Sequence, residues 1–141
     1  MKVKLSDIIE AIEMTSQDSE YFLDKETGKI IWCNAEVMEK DELEEVGEYL
    51  DEHDCCRLPT SYEIHDYSIM TEFTQNLSGE NFDKLTVALR GRGAYRNFRN
   101  TIRYLGIEQQ WYAYRDNAYK RIAIEWCNDN NIEYEEYGYS A

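Results

Sequence analysis

Charge is divided unevenly along this 141-residue chain, and the division limits the folds that the chain can adopt. Residues 1–83 hold 22 acidic and 6 basic side chains, whereas residues 84–141 hold 7 acidic and 9 basic ones. The net charge of −14 is therefore −16 in the first part and +2 in the second. Because an unpaired buried charge is costly, the first part must keep most of its carboxylates in water.

The composition leaves room for a core despite this charge. Hydrophobic residues make up 43% of the chain and aromatic residues 13%, which predicts a folded protein. The length predicts a single domain over residues 1–141. No run approaches the roughly 20 apolar residues of a bilayer-spanning helix, and the first residues show no apolar stretch typical of a signal peptide. We therefore expect a cytoplasmic protein with no membrane segment.

The periodicity of apolar residues predicts a helix and a hairpin at the start of the chain. Residues 1–35 begin with a helical apolar stripe, for which Ser6 is the candidate N-cap. Two strands follow on either side of Gly28, which can supply the positive φ of a tight turn. Residues 36–54 carry ten acidic residues against one lysine, yet keep helical spacing of their apolar positions. This acidic segment predicts a short helix with an acidic outer face.

The rest of the chain reads as helices followed by a strand. Residues 60–129 form a helical region that begins at a capping box between Thr60 and Glu63. Gly106 is a candidate C-cap within it, and residues 132–137 alternate as a terminal strand does. The pattern predicts the α+β class, with a small antiparallel sheet, made of the N-terminal hairpin and the C-terminal strand, packed against a helical layer.

Positive charge in the second part is ordered as well as concentrated. Four arginines follow one another at intervals of four, three and four residues, which places them on one face of a helix. They are Arg92, Arg96, Arg99 and Arg103. The opposite face is apolar and includes Phe98 and Ile102. Gly91 and Gly93 precede this helix, whose free amides and dipole attract anions. Like charges in a row destabilise a helix, so we expect an acidic group against this face.

Two interpretations of the arginines are open. In the first, they pair with the chain's own carboxylates, in residues 36–54 or at Glu133, Glu135 and Glu136, and the abundance of carboxylates favours this. In the second, they bind a phosphate-bearing ligand or a nucleic acid, with aromatic rings as stacking groups, which a net charge of −14 opposes. These rings are Tyr95, Trp111, Tyr112 and Tyr114. The candidate binding residues are Arg90, Gly91, Arg92, Gly93, Arg96, Arg99, Arg103, Trp111 and Arg115.

The histidines and cysteines form no catalytic or metal-binding motif. His53, Cys55, Cys56 and His65 are of the types that zinc prefers, but their spacing fits no zinc pattern, so we expect no metal. Neither histidine lies in a nucleophile motif, and the sequence has no Walker, Gly-x-Ser-x-Gly or His-Glu-x-x-His motif. The sequence favours a protein that is not an enzyme and has no cofactor. An enzyme with an unrecognised carboxylate site is an alternative.

Five blocks of the sequence resemble a known family. They are residues 21–30 (YFLDKETGKI), 69–73 (IMTEF), 89–98 (LRGRGAYRNF), 111–115 (WYAYR) and 123–126 (AIEW). Together they resemble the bacterial uncharacterised protein family 0158 over nearly the full length. That family typically has Phe where this chain has Tyr95 and a basic residue where it has Asn97, so this member is less basic there. The resemblance implies one fold and a bacterial cytosolic origin, but supplies no activity and no catalytic residues.

These observations predict a small binding protein. We expect its partner to be another protein, bound through the acidic surface or through the segment from Gly91 to Arg103. The large negative charge suits a basic partner. Binding of a phosphate ligand or nucleic acid through Arg90 to Arg103 is the alternative.

Overall fold

A computed structural model describes residues 2–136, and the chain divides into two compact units. The first unit comprises Met1–Ile64 and Tyr119–Ala141, and the second comprises His65–Ala118. The chain therefore leaves the first unit after Ile64 and returns to it at Tyr119. The single domain expected from length stays a prediction, because a compact unit need not fold independently.

The first unit contains all of the strands. Its elements are β1 (Lys2–Lys4), α1 (Leu5–Met14), β2 (Ser19–Asp24), β3 (Ile30–Asn34), α2 (Lys40–Glu52), β4 (Cys55–Arg57), α3 (Ser61–Ile64) and β5 (Glu133–Glu135). The second unit contains α4 (Asp66–Gln75), α5 (Gly79–Ala88) and α6 (Ala94–Leu105). Helix α7 (Glu108–Asp129) begins in the second unit and ends in the first.

The strands confirm the α+β class but correct the predicted sheet. Strands β3, β2 and β4 form an antiparallel sheet in that order, and β1 pairs with β5 as a separate parallel pair. The C-terminal strand therefore does not join the hairpin, since the free edge of β2 is taken by β4, with Leu23 opposite Cys56. Strand β5 lies beside β1 instead, with Val3 opposite Tyr134. A three-residue strand such as β1 is too short to show a period of two in the sequence. Tyr137, the last residue of the predicted strand, lies outside the described residues.

Helix α1 follows β1 without a loop, which explains why the predicted cap is wrong. The helix begins at Leu5, and its N-cap is Lys4 rather than Ser6. Leu5, Ile8 and Ile12 of this helix are almost fully buried and form the core of the first unit together with Leu23 and Leu58. The indole N–H of Trp126 donates to the backbone oxygen of Arg57 over 2.9 Å, which ties the end of α7 to β4.

A buried carboxylate organises the hairpin of the first unit. Gly28 has a φ of 78°, as the predicted turn requires. Asp24 is fully buried, and its carboxylate accepts hydrogen bonds from the backbone N–H of Glu26 at 2.9 Å and from the Tyr49 hydroxyl at 2.6 Å. The Tyr49 hydroxyl is the main reason why the pKa of Asp24 lies below its usual value. This side chain therefore links the turn to α2.

The second unit is held together by aromatic rings. The ring of Phe98 meets those of Phe73 and Trp111 edge to face, with centroids 6.3 and 4.9 Å away. Phe73 and Trp111 also meet each other at 5.4 Å, and the ring of Tyr114 lies 5.5 Å from Phe73. Edge-to-face pairs at these separations stabilise a core beyond the burial of their area. Helices α4, α6 and α7 therefore share one aromatic core.

The capping box is confirmed, but it starts a shorter helix than its pattern indicates. The Glu63 carboxylate accepts from the backbone N–H of Thr60 at 3.0 Å, and the Thr60 hydroxyl accepts from the backbone N–H of Glu63 at 3.3 Å. Helix α3 ends at Ile64, because His65 adopts a left-handed conformation with a φ of 53°. A new helix, α4, then begins at Asp66.

Of the helices described, none is both long and apolar enough to cross a bilayer.

Candidate binding face on helix α6

Helix α6 presents two chemically different faces. Phe98 and Ile102 are almost fully buried, at 2% and 1% exposure. Arg96, Arg99 and Arg103 are exposed on the other face, whereas Arg92 is exposed in the turn before the helix, which begins at Ala94. Since these three arginines recur at intervals of three and four residues, they form one positive strip along α6. The prediction that Arg92 shares this helical face is wrong, because the left-handed Gly93 separates it from the helix. We call this strip, together with Arg92 in the preceding turn, the arginine face; its members are Arg92, Arg96, Arg99 and Arg103.

The arginine face has little internal neutralisation. Arg103 pairs with Glu108 at 3.9 Å, and the side chains of Arg92, Arg96 and Arg99 have no ion pair with any described residue. Of the terminal glutamates, Glu136 pairs with Lys120 at 3.1 Å instead. Within residues 65–118, which are all described and form the second unit, Glu108 is therefore the one carboxylate that pairs with this face.

The acidic segment also keeps its charge exposed. Helix α2 has no fully buried residue, and its acidic side chains point to solvent without an ion pair to a described residue. The Glu42 carboxylate accepts a hydrogen bond from the backbone N–H of Glu39 at 3.1 Å, which caps the helix. Counted by unit, the net charge is divided much as between the two parts of the sequence, at −15 and +1. The first unit holds 23 acidic and 8 basic residues, and the second holds 6 and 7.

Two glycines shape the turn before α6 by their backbone conformation. Gly91 and Gly93 both have a φ of 71°, which L-residues rarely adopt. A Cβ atom on Gly91 would meet nothing within 4 Å, and one on Gly93 would meet only the amide nitrogen of Asn97 at 3.8 Å. These glycines are therefore required by torsion angle and not by lack of space.

Replacing Gly93 by alanine should destabilise the protein by about 1 kcal/mol, because alanine is strained in the left-handed region. The same change at Gly47 is the matched control. Gly47 lies within α2, has open space around its Cα, and does not have a positive φ. There alanine should stabilise by about 0.5 kcal/mol through helix propensity. Thermal unfolding followed by circular dichroism measures both variants, and equal signs would contradict the assignment of the turn.

A groove runs beside the arginine face. It lies between α5 and α6, measures about 690 Å³, and is bordered by Lys84, Val87, Ala88, Asn100, Thr101 and Tyr104. Asn100 and Tyr104 each follow an arginine of the face by one residue, so they lie about 100° further round the helix axis. Val87 and Tyr104 are 62% and 76% exposed although both are large. This groove was not predictable from the sequence, since its walls lie on two helices and leave no local spacing to recognise.

Other predicted binding residues lie elsewhere in the second unit. Trp111 is only 8% exposed and belongs to the aromatic core, so its ring is not a stacking surface. Arg115 lies on α7, where its guanidinium contacts Asp116 at 3.2 Å and lies over the ring of Tyr112. Arg90 is exposed after the end of α5 and borders a smaller groove of about 290 Å³. Tyr95 is 54% exposed on α6 itself.

The cysteines lie in surroundings that keep their thiols protonated. Burial raises the pKa of Cys55 and Cys56, and it raises that of Cys127 to about 11. A thiol with a raised pKa is a poor nucleophile at neutral pH, because the thiolate is the reactive form. In the part of the chain that the structure describes, no three residues of the metal-binding types come together as a metal site.

The fold and this face define an α+β protein with an exposed basic helix in one of its two units. Within that class, the chain belongs to the uncharacterised protein family UPF0158, whose sequence profile matches residues 1–136. This confirms the resemblance noted in the sequence. Comparison with curated proteins and with solved structures gave no match.

Proposed function

We propose that this protein is a binding protein whose arginine face docks an acidic segment of a partner protein. One observation carries the proposal: Arg96 and Arg99 are exposed, lie on one face of α6, and have no ion pair among the described residues. Neighbouring like charges cost helix stability. A partner with carboxylates would remove that repulsion and form charge-assisted hydrogen bonds with the guanidinium groups.

The chemistry of the neighbouring side chains supports a protein partner. Arginine and tyrosine are enriched in protein interfaces, and Tyr95 and Tyr104 are exposed on the same helix as the arginines. A nucleic acid would also be repelled by the net charge of −14, most of which lies in the first unit. That charge repels a polyanion at long range more strongly than it repels a short acidic segment of a protein.

The proposal is tested with a fluorescein-labelled peptide of alternating Glu and Ser, whose binding is followed by fluorescence anisotropy. The double substitution Arg96→Ala and Arg99→Ala should weaken binding about tenfold, because two charge-assisted contacts are lost. The matched control is Lys40→Ala with Arg121→Ala, which removes the same charge from exposed positions of the first unit. The control should leave the affinity within about twofold, and higher salt should weaken binding of the wild type.

Oligouridylate of the same length serves as the competing polyanion. If it binds more tightly than the peptide and loses binding in the arginine double variant, the face is a nucleic-acid surface and the proposal is wrong. Equal losses in the arginine variant and in the control would show that only net charge matters, which also contradicts the proposal. Circular dichroism of each variant verifies that the fold is retained.

A further inference from the structure

The groove between α5 and α6 has the properties of a binding pocket for a single apolar side chain. Val87 on one wall and Tyr104 on the other are large and mostly exposed, at 62% and 76%. Burying such surface under a partner's side chain is favourable in proportion to the apolar area removed from water. The volume of about 690 Å³ is sufficient for a leucine or an aromatic side chain.

Contacts at the rim hold one wall of this groove in place. The Lys84 ammonium lies 5.6 Å from the centroid of the Tyr104 ring, at the distance of a cation–π contact. Lys84 also pairs with Glu80 at 3.7 Å, one helical turn away. Asp83 borders the groove as well, so charges of both signs lie at its edge. The ring of Tyr104 is therefore positioned at the opening.

The groove and the arginine face are adjacent on one helix. Asn100 and Tyr104, which border the groove, follow Arg99 and Arg103 by one residue. A chain lying along α6 would thus contact guanidinium groups on one side and the apolar walls on the other. Charge complementarity selects an acidic chain for the first contact, and the exposed Val87 and Tyr104 select an apolar side chain for the second.

We propose that the partner is an acidic segment that carries a leucine or aromatic residue, and that this residue inserts between Val87 and Tyr104. This inference rests on the proposed function and names the partner's recognition motif. One apolar anchor in a pocket then adds affinity, while the arginines orient and select the acidic flanks.

Two peptides of equal length and charge test the inference on the full chain. One alternates Glu and Ser, and the other has one central serine replaced by leucine. The leucine peptide should bind about tenfold more tightly, as expected for burial of an aliphatic side chain. Val87→Lys should abolish this advantage. If charge alone governed binding, the added lysine would tighten the binding of the leucine peptide. The inference predicts that the same substitution weakens it, so the two explanations predict changes of opposite sign in this affinity.

Matched controls come from the chain itself. Val37→Lys makes the same change at a valine that is 65% exposed and lies in the first unit, and it should keep the leucine advantage. Tyr104→Ala should reduce the advantage, whereas Tyr62→Ala, at a tyrosine that is 89% exposed, should not. Circular dichroism confirms that the exposed substitutions leave the fold intact.

The outcomes separate this inference from the proposed function. If the two peptides bind equally and the arginine double variant weakens the binding of both, the groove is not the binding pocket, but the arginine face is still the binding surface. If the leucine advantage survives Val87→Lys, the inference is also wrong. If neither peptide depends on Arg96 and Arg99, the proposed function fails, and the inference fails with it.

Discussion

Substitution of Phe98 by alanine is expected to lower the free energy of unfolding by about 3–5 kcal/mol, because it opens a cavity in the aromatic core. The ring is 2% exposed and contacts both Phe73 and Trp111 edge to face. Loss of these ring contacts adds to the lost burial. Urea denaturation followed by tryptophan fluorescence and circular dichroism measures the change.

The control for this variant is its neighbour in the chain. Arg99 follows Phe98 by one residue but is exposed and has no ion pair with a described residue. Arg99→Ala should therefore change stability by no more than about 0.5 kcal/mol. A large loss at Arg99 would show that the arginine face is part of the fold and would contradict its assignment as a binding surface.

Removal of the Asp24 carboxylate should have the second largest effect on stability. Asp24→Ala leaves the Tyr49 hydroxyl and the backbone N–H of Glu26 without their acceptor, which should lower Tm by roughly 10 °C. Tyr49→Phe removes only the shortest of these bonds and should cost less. The matched control is Asp54→Ala, at an exposed aspartate of the same region. A comparable loss at Asp54 would contradict the anchoring role of Asp24.

The dependence of this effect on pH follows from the sign of the pKa shift. The Tyr49 hydroxyl and the backbone donors lower the pKa of Asp24 in the folded state. The carboxylate therefore stabilises the protein above its unfolded pKa of about 3.9, and this contribution is lost as pH falls through the folded pKa. Thermal unfolding should show a constant deficit for Tyr49→Phe from pH 8 to about pH 5, which narrows at more acidic pH. A deficit that grows on acidification would contradict this assignment.

Local patterns along the chain were sufficient to predict most of the elements. The hairpin around Gly28, the acidic helix α2, the cap at Gly106 and the end of the helical region at residue 129 all follow from spacing and from turn residues. Each depends on neighbours within a few positions, which is the range over which sequence patterns report structure. The two faces of α6 belong to the same group, since a period of 3.6 residues places arginines opposite Phe98.

Pairing between distant segments was not predictable in this way. Strand β5 joins β1 across almost the full length of the chain, and β4 takes the edge of β2 that the C-terminal strand was expected to occupy. Short strands carry too few residues for their pattern to select a partner. The left-handed conformation of His65, which separates α3 from α4, was likewise not predictable, because no glycine stands at this position to indicate a turn.

For the candidate site too, some features follow from local sequence patterns and others depend on contacts between distant segments. The sequence determines where most of the positive charge lies, because the spacing of Arg96, Arg99 and Arg103 sets one face of α6. Only the structure shows that Arg92 lies before the helix. Whether those arginines form ion pairs with the chain's own carboxylates depends on which surfaces meet in space. In the described residues, only Arg103 of the four has such a partner. The groove beside them exists because α5 and α6 pack with Val87 facing Tyr104. Contacts between helices depend on packing that no local period encodes, so only the tertiary structure shows this part of the site.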